Sequence, residues 1–360
     1  MKRILIALVF VLLEIPIADA STTTTIAIPA HRNADGIFLN NELSNLLRPE
    51  GELTKLLKSP SNSYAIDIAT LEEIEDLADG YQYLDENQKI IDVANSTAAA
   101  NWLRRLNQVA GGKELLIRPY GSPDPDLFTN APKDLEFYQE AALARAAKYF
   151  KEFTLAPITS DQKINELSEA FYATYRKDLR ALNVATADSE VVSLRLQLAK
   201  TLNPELSGAS ATALMANLRA KIRDAEKKLR IVAGNYTITA SKYDLPITVI
   251  NEFATPISTK LSLRSSNSRV RIGKIEPLFI QPGSQVQVEI PIEVIASGQS
   301  RLDIKLTNSN GAQIGQSKSV ELQLAVISPL TTWFTTGMAI ILLLAAIVQS
   351  IRRVKRRKHE

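Results

Sequence analysis

The sequence predicts a composite fold. An α/β region, either a partial (β/α) barrel or an open parallel sheet, leads into a helical segment. An all-β immunoglobulin-like sandwich and one transmembrane helix follow. Three observations predict it. Short β-branched runs alternate with amphipathic stretches as far as residue 160; the apolar spacing is helical alone from 161 to 232; and from Asn235 the period drops to two. Strands alternating with helices form parallel sheets covered on both faces, and seven short alternating strands separated by turn signals form a sandwich.

Residues 1–20 read as a signal peptide. Lys2 and Arg3 precede an apolar core, Glu14 and Pro16 keep it too short to span, and Ala18-Asp19-Ala20 is a small-x-small cleavage site. Residues 21–160 form the expected α/β domain, with strands at 24–29, 63–68, 114–119 and 152–157. Its helices are expected at 40–58 (split at Pro49-Glu50-Gly51), from Thr70, at 97–109 and at 134–150. Thr70-Leu71-Glu72-Glu73 has the spacing of a capping box, and Gly111-Gly112 stops the third helix.

Residues 161–233 read as a helical segment packed on that domain, its last stripe being Leu214, Leu218, Ile222, Ala225 and Leu229. Residues 234–327 give the sandwich, with turns at Gln281-Pro282-Gly283-Ser284, Ser297-Gly298 and Asn310-Gly311. Residues 328–351 read as the membrane span, since Leu330 to Val348 is uncharged and about 28 Å long as a helix. The tail 352–360 carries Arg352, Arg353, Lys355, Arg356, Arg357 and Lys358, which sets these six as topology residues on the cytoplasmic side. The expectation is a single-pass type I protein of the cell membrane with its N-terminal ectodomain outside.

Composition narrows the chemistry. Cysteine is absent, so neither disulfides nor thiol chemistry enters. The formal charge of +3 is concentrated in the tail, which leaves nothing to favour nucleic acid as a partner. His31 is the single histidine outside the tail, too few for a zinc site, and no Gly-rich phosphate loop or nucleophile elbow is present; no cofactor or metal is expected.

In parallel α/β domains the functional edge lies where strands end. Asp67 follows the second strand, and Asp124 and Asp126 follow the third. Two facing carboxylates could act as general acid and base on a glycosidic bond. Arg118 and Tyr120 are the candidate ligand-binding residues, able to hydrogen-bond or stack on a sugar. The same residues admit a structural role: Asp124-Pro125-Asp126 has turn and cap chemistry, and Asp67 can bond the amides of the turn that follows it.

Several stretches carry a family resemblance. They are Gly51-Glu52-Leu53-Thr54-Lys55-Leu56-Leu57, Tyr64-Ala65-Ile66-Asp67-Ile68-Ala69-Thr70-Leu71, Ala100-Asn101-Trp102-Leu103-Arg104-Arg105-Leu106, Arg118-Pro119-Tyr120-Gly121-Ser122-Pro123-Asp124-Pro125-Asp126 and Leu245-Pro246-Ile247-Thr248-Val249-Ile250-Asn251-Glu252-Phe253. With these the chain resembles a family of uncharacterised actinobacterial envelope proteins that carries a domain-of-unknown-function label. The resemblance implies a secreted, single-span protein with a sugar-hydrolase-like or deacetylase-like α/β region and a sandwich before the anchor. It also implies a cell-envelope role, because the family is often encoded beside the flippase for lipid-linked peptidoglycan precursor. This chain departs from longer relatives in that helices at 161–232 stand where they have barrel.

Beside an accessory subunit that contacts a membrane flippase or synthase through the helix from Thr331 to Val348, two functional expectations follow. One is a non-catalytic scaffold, linked to cell-wall biogenesis, that binds a cell-wall glycan or a membrane protein of peptidoglycan-precursor export. The other is a glycoside hydrolase acting on cell-wall or surface glycan through Asp67 with Asp124 or Asp126.

Overall fold

The computed structural model describes residues 22–157, 164–325 and 329–356, with side chains in the last helix described over 336–350. The signal-peptide expectation at 1–20 lies outside the described residues. So do Arg357 and Lys358, and the side chains of Arg352, Arg353, Lys355 and Arg356. The chain divides into two compact units, Met1–Arg32 with Gly36–Lys163 and Asn203–Glu205, and Asn33–Asp35 with Ile164–Leu202 and Leu206–Glu360.

The first unit has a four-stranded parallel sheet in the order β1 (Thr23–Ile26), β2 (Ser63–Ile66), β5 (Glu114–Ile117), β6 (Thr154–Leu155). β2 is central and every residue of it is buried, as expected of a strand covered on both faces. The helix pair α1 (Glu42–Leu46) and α2 (Glu52–Leu56) breaks at Pro49–Gly51, and Leu43, Leu47, Leu53 and Leu57 are buried. Burial of side chains this size stabilises by roughly 1.5–3 kcal/mol each. α3 (Ile68–Asp79) and α4 (Thr97–Ala110) pack together, with Leu71, Ile74, Leu77, Trp102 and Leu106 inward. α5 (Pro132–Ala146) lies against β5 and α3.

An antiparallel ribbon, β3 (Tyr81–Leu84) with β4 (Ile90–Val93), follows α3 and is not expected from the sequence. Its turn is closed by Asp85 Oδ1, which accepts from the N–H groups of Asn87 and Lys89. β6 is two residues long, not six, because Lys151 and Glu152 ahead of it are exposed and Pro157 cannot donate to a ladder.

The second unit contains α6 (Glu166–Ala185), α7 (Ser189–Lys200) and α8 (Gly208–Lys227). The helical segment expected on the α/β domain groups here, with α6 and α8 against strand β15 (Gln313–Leu324). The stripe read as helical through Leu229 stops at Lys227. Leu229 instead opens strand β7 (Leu229–Val232), paired antiparallel with β9 (Lys242–Asn251). Ile231 and Val232 are β-branched and gain more from a sheet edge than from another helical turn.

One antiparallel sheet runs β11 (Val270–Ile272), β13 (Ser284–Val294), β9, β7. The other runs β12 (Leu278–Ile280), β10 (Ile257–Ser265), β14 (Gly298–Thr307), β15, β8 (Tyr236–Ile238), with β8 parallel to β15. Alternate residues are buried: Leu245, Ile247 and Val249 in one sheet, Leu302, Ile304, Leu306, Val320 and Leu322 in the other. Asn251 is fully buried at the end of β9. Its Nδ2 donates to the carbonyls of Thr255, Ile280 and Gln281, and its Oδ1 accepts from Phe253 N.

The composite fold read from the sequence is corrected here. The chain combines mixed helices with curled antiparallel sheets, and among the described residues no helix is long and apolar enough to cross a membrane. The final helix α9 spans Pro329–Arg356. The expected single-pass anchoring at 328–351, and the type I location built on it, are therefore overturned.

Candidate functional site

The end of β2 positions the first candidate. Asp67 is the N-cap of α3, one turn earlier than the Thr70 start read from the sequence, and its backbone is extended. Its Oδ1 accepts from Ala69 N and from Gly121 N, both at 3.0 Å. The carboxylate is 1% exposed. One oxygen thus caps a helix and holds the turn after β5. In that turn Gly121 and Ser122 both have positive φ, +80° and +46°. Only glycine adopts this without cost, so Ser122 is held there by its surroundings. Its Oγ accepts from Arg118 Nε at 2.9 Å, and Arg118 N donates to Ile66 O.

Tyr120 is buried, 5% exposed, and its hydroxyl donates to Glu72 Oε2 at 2.5 Å. Arg145 reaches Glu72 Oε1 at 3.2 Å and lies over the Tyr120 ring. Burial, then the charge of Glu72, pushes the Tyr120 hydroxyl well above its ordinary pKa. Arg118 and Tyr120, expected to meet a sugar, are engaged within the fold: one shapes a turn and the other fastens that turn to α3.

Asp124 is buried. Its Oδ1 accepts from Asp126 N at 3.0 Å, capping a 3-10 turn at Pro125–Phe128 whose Phe128 is buried. Asp126 is exposed in the first turn of that segment. Both Asp67 and Asp124 therefore do the cap chemistry that their spacing also admits.

α3 supplies the acids that the sequence reading overlooked. Glu73, 2% exposed, accepts from His31 N at 2.9 Å. Asp76 pairs with Arg32, and Glu75 binds Lys148 at 2.6 Å and the Tyr149 hydroxyl at 2.7 Å. Burial alone would raise the Glu75 carboxyl, but the bonds from Lys148 and Tyr149 outweigh it and hold the carboxyl below its ordinary range. Burial and the bond to Glu75 push the Tyr149 hydroxyl up. The signal was Glu72-Glu73 inside an apolar helix pattern, which capping-box spacing explained away.

Among the described residues, two concavities lie in the second unit. One of about 550 Å³ is lined by Lys242, Tyr243, Asp244, Arg271, Pro291 and Glu293, with Arg271 bonded to Glu293 at 2.9 Å. The other, about 430 Å³, is lined by Asp178, Leu182, Glu226, Gln313, Gly315 and Gln316 among others. Burial, then the nearby Asp178 charge, raises the Glu226 carboxyl, and Arg223 opposes them. Among the described residues no group of three or more His, Cys, Asp or Glu is placed to hold a metal ion.

The model of a family of unknown function, DUF6049, matches residues 122–359. The chain belongs to that family. The match takes in the turn at Ser122, the Asp124 cap and both concavities, whereas Asp67 and α3 precede it. No curated protein matches the chain.

Solved structures align with about a quarter of it. Native alpha-2-macroglobulin from Escherichia coli, spanning domain MG7 to the C-terminus, matches at 12% identity and a TM-score of 0.22, over 27% of this chain and 16% of its own. WR4, an MSP family member of C. elegans, matches at 14% identity and a TM-score of 0.22, over 27% and 98%. The ASH/PapD-like domain 7 of human CEP192 matches at 13% identity and a TM-score of 0.23, over 28% and 87%.

Proposed function

We propose that this DUF6049 member is a non-catalytic scaffold that binds a cell-wall glycan. One observation carries the non-catalytic half. The carboxylates that would have to work as acid and base are spent on backbone amides, Asp67 on Ala69 and Gly121, and Asp124 on Asp126. A general base held in this way has lost the orientation its chemistry needs.

The binding half is assigned to the concavity between β9, β11 and β13. Its volume lies in the range of ligand pockets, and Tyr243 offers a ring beside cationic Lys242 and Arg271 and anionic Asp244 and Glu293. A polyol with acidic or amino substituents meets both charges there. The link to the cell wall is supported by the family resemblance of the motifs quoted above.

The test uses purified protein with insoluble peptidoglycan and arabinogalactan. Co-sedimentation that is lost in Tyr243→Ala and Arg271→Ala, with no release of reducing ends, supports the reading. Reducing ends released by the native chain and absent with a folded Asp67→Asn or Asp124→Asn variant would restore the hydrolase and remove the scaffold.

A further inference from the structure

β13 is eleven residues long and pairs with β9 along ten of them, from Ser284 to Glu293. On its other side β11 pairs only with Ile292, Glu293 and Val294. Among the described residues no strand pairs with Ser284–Ile290 on that side.

The phase of the open edge follows from two bonds. Val294 N donates to Ser241 O on the β9 side, and Pro291 O accepts from Gly273 N on the β11 side. Backbone groups alternate along a strand, and the register with β9 is unbroken, so Glu289, Gln287 and Gln285 direct their N–H and C=O groups outward. Their side chains are exposed.

An unpaired edge is normally blunted by lysine, proline or a bulge. Residues 284–290, Ser-Gln-Val-Gln-Val-Glu-Ile, contain no lysine, proline or register shift and a single charge, Glu289, and Pro282 and Pro291 frame the stretch. Antiparallel pairing of this stretch with itself, centred on Gln287, sets each Gln285 opposite a Glu289 and Gln287 opposite Gln287. No like charges meet directly, and Pro291 falls beyond the last pair, opposite Gly283.

We infer that two copies of this chain associate edge to edge through β13, with a two-fold axis at Gln287, joining their β11-β13-β9-β7 sheets into one. The occupant is a second copy because the edge is complementary to itself in charge and in the position of its prolines. One strand pair is small beside the ~1,600 Å² of a standard interface, so association depends on concentration. This inference is independent of the glycan-binding reading, since trapping the dimer and co-sedimentation read different surfaces.

The chain has no cysteine, so a single one reports one contact. Facing residues in a hydrogen-bonded antiparallel pair lie about 5.5 Å apart at Cα, within disulfide reach. Oxidation of full-length Gln287→Cys is expected to yield about tenfold more covalent dimer than Gln323→Cys, a control at an exposed site on β15, a tenfold ratio being about 1.4 kcal/mol. Gln287→Pro removes the central outward donors without touching the β9 ladder. It is expected to abolish the dimer seen by sedimentation velocity. Gln287→Lys sets like charges across the axis and does the same if the proline variant does not fold. Equal trapping at positions 287 and 323, or a dimer that survives both substitutions, overturns the inference. A monomer at all concentrations with an extended peptide bound at β13 also overturns it.

Discussion

Asp67→Ala is the most informative single change in the first unit. The substitution removes the cap of α3, worth about 1 kcal/mol at an N-terminus. It also leaves Gly121 N–H without its 3.0 Å acceptor, which costs about 1–3 kcal/mol for a buried donor. The turn so loosened carries Ser122 at positive φ and Tyr120 bonded to Glu72. The expected loss is therefore about 2–4 kcal/mol. Asp67→Asn keeps an acceptor oxygen for both amides and should lose about 1 kcal/mol, the difference between a charged and a neutral bond.

Trp102, buried in α4, makes the measurement specific. The chain has two tryptophans, so urea unfolding followed by fluorescence in a Trp333→Phe background reports the first unit alone. An alanine variant within about 0.5 kcal/mol of the parent, the scatter of a neutral surface change, would refute the structural assignment of Asp67. An asparagine variant as unstable as alanine would show that charge, not geometry, holds the turn.

Other outcomes follow from the same reasoning. Because the folded-state pKa values of Tyr120 and Tyr149 are raised, their contribution to stability is full below pH ~10 and is lost as pH climbs further. Melts between pH 9 and 12 should show this loss flattened in Tyr120→Phe with Tyr149→Phe. Glu75 is shifted the other way: its contribution is present above its ordinary carboxyl pKa and is lost as pH falls through the lowered value, so Glu75→Gln should flatten the acid limb of the same series.

Asn251→Ala removes four hydrogen bonds at a fully buried site and should cost about 3–4 kcal/mol in denaturant titration. Asn251→Asp should cost more, since a carboxylate would face three carbonyl oxygens. Gly80→Ala should lower the melting temperature, because φ is +125° and a Cβ would lie 2.5 Å from Ala94 O.

What could be read without coordinates was local. The breaks at Pro49–Gly51 and Gly111 and the cap chemistry of Asp67 and Asp124 follow from side chains acting on neighbouring backbone, and the structure contains each. The period of two between Asn235 and residue 327 marks strands, but not which edges stay open. The β3–β4 ribbon was missed because four-residue strands after a helix give too little period to count.

The residue sequence by itself determined which segments bury an apolar face and which acids are free to cap, since both depend on spacing along one chain. Only the tertiary structure decided that Glu72 meets Tyr120 across 48 residues, that Leu229 leaves its helix for β9, and that β13 is covered along only part of its length. Those outcomes depend on long-range partners for backbone and buried polar groups. A hydrogen bond's partner is chosen by the fold, whereas the need for one is written in the sequence.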